Sequence, residues 1–373
     1  MSDDSIPQSD VIDGAPHPRL TEKLIGQSAA EDTFLTAFNS GRLHHAWLIN
    51  GPRGVGKSTL AWRIARFLLA QPDDDGGMFV DAAPTPTNLS VPVDHPVARR
   101  IAALGEPRLF LARRPYDEKS KKLKQAITVE EVRKLKSFFN FSAADGGWRV
   151  AIVDAADELN TAAANALLKI LEEPPEKVIL LLVCHQPARL LPTIRSRCRE
   201  LRCVQLNETE LDGVLAQAGF EASQNSLALA TLADGSAGQA IQMLGADGLK
   251  LYASIVSIAA RAPGLDRGAA LTLANACVGK AAEQKYDMTL RLFATFLARL
   301  ARHGALQPST VIEAAQGEAS LFAKLAPNAA AARKWANLLQ EITSRSTHAR
   351  AVNLDPSSVI LDMFLKLDET ARN

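Results

Sequence analysis

The chain has little cysteine, no long apolar run and almost no net charge, and each shortage removes a class of function. Its four cysteines are Cys184, Cys198, Cys203 and Cys277, and none stands in a CxxC pair. The spacing of a zinc site is therefore missing, and buried, reduced thiols are the expected state. No apolar stretch approaches the ~20 residues that a membrane-spanning helix requires. The longest, Val178 to Cys184, has the length of a strand. The opening residues, MSDDSIPQSDVIDGAPHP, lack the apolar segment of a signal peptide, and residues 1–18 read as a disordered tail. These features point to the cytoplasm and away from membranes. Lys and Arg number 42 against 41 Asp and Glu, a net charge of +1. No global basic field draws the chain to nucleic acid, so any contact with DNA must be local or made through partners.

What is present is a soluble-type chain of 373 residues with 47% hydrophobic residues, enough for two or three domains. Residues Glu31 to Asn39 suit a helix. A short apolar run, HAWLIN, ends at Asn50, and GPRGVGKST follows at once. Then comes LAWRIARFLLAQ, in which Leu60, Ile64, Phe67 and Leu68 recur at helical spacing. The order is strand, glycine loop, helix. Residues 71–96, rich in Asp, Gly and Pro, read as a loop or partly disordered insertion. PRLFLARR suggests a short strand. Tyr116 to Gln125 holds Lys119, Lys121, Lys122 and Lys124, which admit two readings, a DNA-phosphate contact or a solvated loop.

ITVEEVRKLKSFFN reads as a helix capped at Thr128, with Glu131 completing a capping-box pattern. RVAIVD, VILLLVC and ELRCVQL read as three further strands, and Thr161 to Glu173 as a helix stopped by Pro174 and Pro175. Strands that are apolar throughout and alternate with helices imply a parallel sheet covered on both faces. After Asn207 the chain is Ala- and Leu-rich and reads as helical. Two stripes in that region, one through Leu292, Phe293, Phe296, Leu297 and Leu300 and one through Trp335, Leu338, Leu339 and Ile342, read as core.

The loop Gly51-Pro52-Arg53-Gly54-Val55-Gly56-Lys57-Ser58 satisfies GxxxxGK[ST]. Its glycines let backbone N–H groups turn inward around phosphates, and the following helix adds positive potential. Lys57 would reach the β- and γ-phosphates, and Ser58 would hold Mg²⁺. Gly51, Arg53, Gly54, Val55, Gly56, Lys57, Ser58 and Thr59 are thus the candidate residues for ATP or ADP. Asp154, at the end of RVAIVD, is placed to position the same Mg²⁺. The next residue is Ala155, which cannot accept a proton, so a general base is missing there. Asp157 and Glu158 are the acids near enough to substitute.

DAADELNTAAANALLKILEEPP and LLPTIRSRC, with GRLHHAWLINGP before the loop, resemble the signature block of bacterial clamp-loader AAA+ subunits, over about residues 19 to 206. The resemblance implies an AAA+ P-loop domain, a parallel sheet flanked by helices, at 19–206. It implies a small helical lid domain at 207–247 and an all-α collar for oligomerisation at 248–373. It also implies a ring with gamma/tau and delta subunits that places a sliding clamp on primed DNA. The arginine of the family's SRC motif, here Arg197, would reach a neighbour's ATP site in trans. The sensor-1 position falls at His185. Gly238 occupies the place of the motors' sensor-2 arginine. With Ala155, this favours a non-motor subunit that binds nucleotide with little hydrolysis. An active motor subunit of the same ring is the alternative, and a free-standing P-loop phosphotransferase is a third reading. Many family members carry a four-cysteine zinc module after the first helix; this chain has none there.

Overall fold

The computed structural model describes residues 7–72, 85–140, 147–221, 225–306 and 310–372. The chain divides into two compact units: residues 1–220 with 236–238, and residues 221–235 with 239–373.

The first unit opens with α1 (Ser28–Asn39), β1 (Ala46–Asn50) and α2 (Lys57–Ala70). It continues through α3 (Pro96–Ala102), β2 (Leu109–Arg113), the short strands β3 (Tyr116–Asp117) and β4 (Lys122–Leu123), and α4 (Val129–Asn140). Then follow β5 (Arg149–Asp154), α5 (Thr161–Glu172), β6 (Val178–Cys184), α6 (Pro192–Arg195), β7 (Arg199–Arg202) and α7 (Glu208–Gln217). Five strands form one sheet in the order β2-β5-β6-β1-β7, all parallel. The strand before the glycine loop, β1, and the strand ending in Asp154, β5, are separated by β6.

Alternation explains why β1, β5 and β6 are buried along their whole length. Successive side chains leave a strand on opposite faces. Trp47, Ile49, Val150, Ile152, Ile179, Leu181 and Val183 pack with α1 and α2. Their neighbours Ala46, Leu48, Ala151, Val153, Leu180, Leu182 and Cys184 pack with α4 and α5. The expected parallel sheet covered on both faces is therefore present. The edge strand is shorter than ELRCVQL suggests. β7 stops at Arg202, and three of its four residues are exposed, a charged edge that resists further pairing.

Of the 71–96 insertion, residues 73–84 lie outside the described residues, as do residues 1–6 of the expected tail. Residues 7–18 differ from that expectation. The Asp10 side chain is fully buried and accepts from Arg113 Nη1 at 2.8 Å, and Gln8 Oε1 accepts from the same nitrogen at 2.7 Å. A carboxylate supplied with a guanidinium fixes this segment where composition alone gives no reason for order. The lysine-rich stretch is also ordered, as a β3–β4 hairpin.

The second unit is helical: α8 (Ser226–Ala233), most of α9 (Ala237–Gly245), α10 (Gly248–Ala259), α11 (Arg267–Asn275), α12 (Glu283–Ala305), α13 (Glu318–Leu325), α14 (Ala329–Ala351) and α15 (Pro356–Arg372). Both stripes read from spacing lie here. Leu292, Phe293, Phe296, Leu297 and Leu300 are buried on α12, and Trp335, Leu338 and Ile342 on α14, while Leu339 is half-buried. Glu318 is fully buried and accepts from Arg299 Nε at 2.9 Å, Arg299 Nη2 at 3.0 Å and Ala314 N at 2.7 Å, and from the Tyr252 hydroxyl. Such a paired, fully bonded carboxylate satisfies the requirement that a buried charge be compensated. Among the described residues no helix is long and apolar enough to cross a membrane.

Candidate nucleotide-binding site

The glycine loop joins the end of β1 to the start of α2, so its amides and the α2 N-terminus share one concavity. Two of its glycines are required by shape. Gly51 has φ 142°, and a Cβ there would lie 2.3 Å from the Cys203 carbonyl oxygen. Gly54 has φ 76°, and its Cβ would lie 2.3 Å from Ser236 Oγ and 3.0 Å from Gly238 Cα. Only glycine adopts this backbone without strain at such an approach. The loop is tied down by three contacts from distant sequence. Gln27 Nε2 donates to Val55 O at 3.0 Å, Ser236 Oγ donates to Arg53 O at 2.8 Å, and Gly238 N donates to Gly54 O at 3.0 Å.

Lys57 is buried in the first turn of α2, and its ammonium donates to Gly51 O at 2.7 Å and to Pro52 O. Burial lowers its pKa to about 8, with Cys203, Asp154 and Asp157 opposing the shift. Ser58 Oγ donates to Asp154 Oδ2 at 2.6 Å. Asp154 is buried at the end of β5, and desolvation raises its pKa to about 7, against the Ser58 hydrogen bond that lowers it. The structure thus brings Lys57, Ser58 and Asp154 together. Loop amides, an ammonium and a hydroxyl–carboxylate pair are a donor set that fits the phosphates and Mg²⁺ of a nucleotide. Among the described residues no group of three or more His, Cys, Asp or Glu converges as a metal site, and the four cysteines are free.

Among the described residues, the acidic candidates for a base at this end of the sheet are missing or engaged. Ala155 is buried and carries no proton acceptor. Asp157 is occupied: its carboxylate accepts from His185 N at 2.9 Å and Gln186 N at 3.2 Å, which clamps the end of β6. Glu158 lies between two guanidiniums, 2.7 Å from Arg53 Nη2 and 2.8 Å from Arg114 Nε. Neither acid stands free to take a proton from water. His185 is partly buried at the end of β6, and its pKa falls to about 4 through burial and the nearby Lys57 and Arg53. It is neutral at pH 7. Gly238 sits in the first turn of α9, where a Cβ would meet Ile12 Cδ1 at 2.5 Å and Gly54 Cα at 3.0 Å. The position therefore has no room for a charged side chain aimed at a phosphate.

Arg197 lies outside this cluster. It follows α6, with its side chain 37% exposed; Nη1 donates to Thr193 O at 3.1 Å, and Nη2 lies 3.0 Å from Glu172 Oε1. A half-exposed ion pair of this kind contributes about 0–1 kcal/mol, so its guanidinium is easily released to another anion. Sequence reasoning missed Gln27 and Ser236, which hold the loop across 28 and 183 positions. No local pattern marks either residue. The engagement of Asp157 and Glu158 was equally invisible, although their nearness to Asp154 drew attention to both.

Residues 26–207 match the family model described as DNA polymerase III, delta subunit. The chain is 38% identical over 159 residues to DNA polymerase III subunit delta′ of Pseudomonas aeruginosa, which covers 43% of each chain. It is 28% identical over 234 residues to subunit gamma of Buchnera aphidicola, covering 61% of this chain and 58% of the relative. The matches therefore span less than two thirds of the length of these relatives. Among solved structures, the Thermotoga maritima RuvB Holliday junction branch migration motor gives a TM-score of 0.37 at 16% identity, covering 64% of this chain and 68% of that one.

Proposed function

We propose that this chain belongs to the DNA polymerase III clamp-loader family, whose delta-subunit model and delta′ relatives it matches over residues 26–207 and over 43% of its length, and that it is the loader's delta-prime subunit. In this reading it is a non-motor, cytoplasmic member of a ring with gamma/tau and delta subunits, acting on the sliding clamp and primed DNA. Its AAA+ domain spans 19–206, its lid 207–247 and its collar 248–373. The loop amides, Lys57, Ser58 and Asp154 hold ATP or ADP with Mg²⁺. Arg197 is supplied in trans to a neighbour's site. A guanidinium there would stabilise charge on the transferring phosphoryl group, an effect worth roughly 10³–10⁵ in rate for GTPase fingers.

The observation that carries the reading is the separation of holding groups from hydrolysing ones. Lys57, Ser58 and Asp154 converge, while among the described residues Ala155 and Gly238 carry no side chain to activate water or add a second γ-phosphate clamp, and Asp157 and Glu158 are engaged elsewhere. The test is to measure nucleotide binding and turnover of the isolated chain. Binding with turnover near the uncatalysed rate is expected. DNA-stimulated turnover by the chain itself, abolished by Glu158→Gln, would instead assign it to the motor subunits.

A further inference from the structure

We propose that the β3–β4 hairpin is a phosphate-backbone contact for nucleic acid, made by Lys119, Lys121, Lys122 and Lys124. The inference rests on the clamp-loader reading and names a surface through which this subunit would touch DNA. The register pairs Tyr116 with Leu123 and Asp117 with Lys122, and Lys121 takes the left-handed turn at φ 53°. The four lysines are all exposed, and among the described residues none has a carboxylate within ion-pair distance. Some exposed lysines elsewhere, such as Lys134 with Glu131 and Lys250 with Asp247, find partners, while Lys136 and Lys177 stand singly rather than in a cluster of four. Asp117 serves the turn instead, accepting from Lys119 N at 3.2 Å and Ser120 Oγ at 2.8 Å. Lys124 interacts electrostatically with Asp117 and Glu130 without pairing to either, and four cations against Asp117, Glu118 and Glu130 leave a local surplus of one on a chain whose net charge is only +1.

The hairpin is held firmly at its base. Lys124 N donates to Pro115 O at 2.9 Å, and Ile127 N donates to Glu158 O at 2.8 Å. Arg114, just before β3, pairs with Glu158, which also pairs with Arg53 of the glycine loop. Arg113 at the end of β2 is in register with Asp154, so the hairpin leaves the sheet at the same strand ends that carry the glycine loop. A fixed backbone bearing long, strongly hydrated ammonium groups suits contact with phosphates irrespective of base sequence. A solvated loop would not need the anchoring to the strand ends that carry the glycine loop.

The test is equilibrium binding of the reconstituted loader to primed DNA between 50 and 200 mM salt, with the wild-type chain and with K119Q/K121Q/K122Q/K124Q. Each lysine that meets a phosphate should lower the log–log salt slope by about 0.9. The quadruple variant is expected to lose at least tenfold in affinity at the lowest salt and to flatten the slope by two or more. The matching Lys→Arg variant should bind as wild type, and K250Q/K334Q should leave the slope unchanged. An unchanged slope in an assembled loader would overturn the hairpin contact and leave the subunit assignment standing. Loss of assembly in the Gln variant, read by gel filtration, would overturn it in favour of a protein contact. A wild-type chain that fails to join the loader would remove the clamp-loader reading and this inference with it.

Discussion

The glycine-loop end of the sheet and the α6 edge treat charge in opposite ways. At the loop, Lys57 and Asp154 are buried, shifted toward neutrality and locked to near neighbours. At the edge, Arg197 is half-exposed, tethered only by Glu172 and a carbonyl, and open to exchange partners. Burial tunes a group to hold a ligand that brings its own charge. Exposure keeps a cation available to a site on another chain. On the proposed reading, the contrast lets one chain grip a nucleotide while the charge it would lend to catalysis faces outward.

The sharpest way to break the loop side of the contrast is Lys57→Ala. Titration calorimetry should show nucleotide affinity falling by about 100-fold, since the variant loses the buried Lys57 ammonium at the loop and leaves the Gly51 and Pro52 carbonyls without it. Gly54→Ala should follow, at about 1–3 kcal/mol of folding stability by thermal melting. The left-handed φ and the clash with Ser236 both oppose a Cβ there. Retention of full stability would mean that the loop is not held against Ser236 and Gly238 as described.

The pH dependence sharpens the contrast next. Asp154, raised to about 7, must ionise to share Mg²⁺, so binding should weaken as pH falls below that value. Lys57, lowered to about 8, must be protonated, so binding should weaken again above it. Affinity is expected to peak between about pH 7 and 8 and to fall up to tenfold per unit on either side. Asp154→Asn should remove the acid limb. The smallest effect expected is that of Glu158→Gln, under about 1 kcal/mol in stability, because its arginine partners are part-exposed and screened. It should leave the turnover of the isolated chain unchanged.

Much of this site was legible in the sequence because its carriers are local. The β1–loop–α2 order, RVAIVD as β5 and VILLLVC as β6 follow from apolar runs and glycine spacing, and each lies where those patterns place it. The unread parts depend on distant partners. Nothing near Gly238 reveals that it touches Gly54, and nothing near Glu158 reveals Arg53 and Arg114. Asp10 is ordered by Arg113, about a hundred positions away, against every compositional cue for a tail. β7 ends early because the Val204 N–H and carbonyl are both taken by the Gln27 side chain, a partner far off in sequence.

The central claim is that Arg197 acts on a neighbour's site while this chain's own site holds nucleotide without turning it over. The most direct measurement is the DNA- and clamp-stimulated ATPase rate of the reconstituted loader, with the wild-type chain and with Arg197→Ala, assembly being checked by gel filtration. The account predicts a fall of at least tenfold in an intact complex. An unchanged rate in an intact complex would contradict it and return Arg197 to a surface ion pair with Glu172.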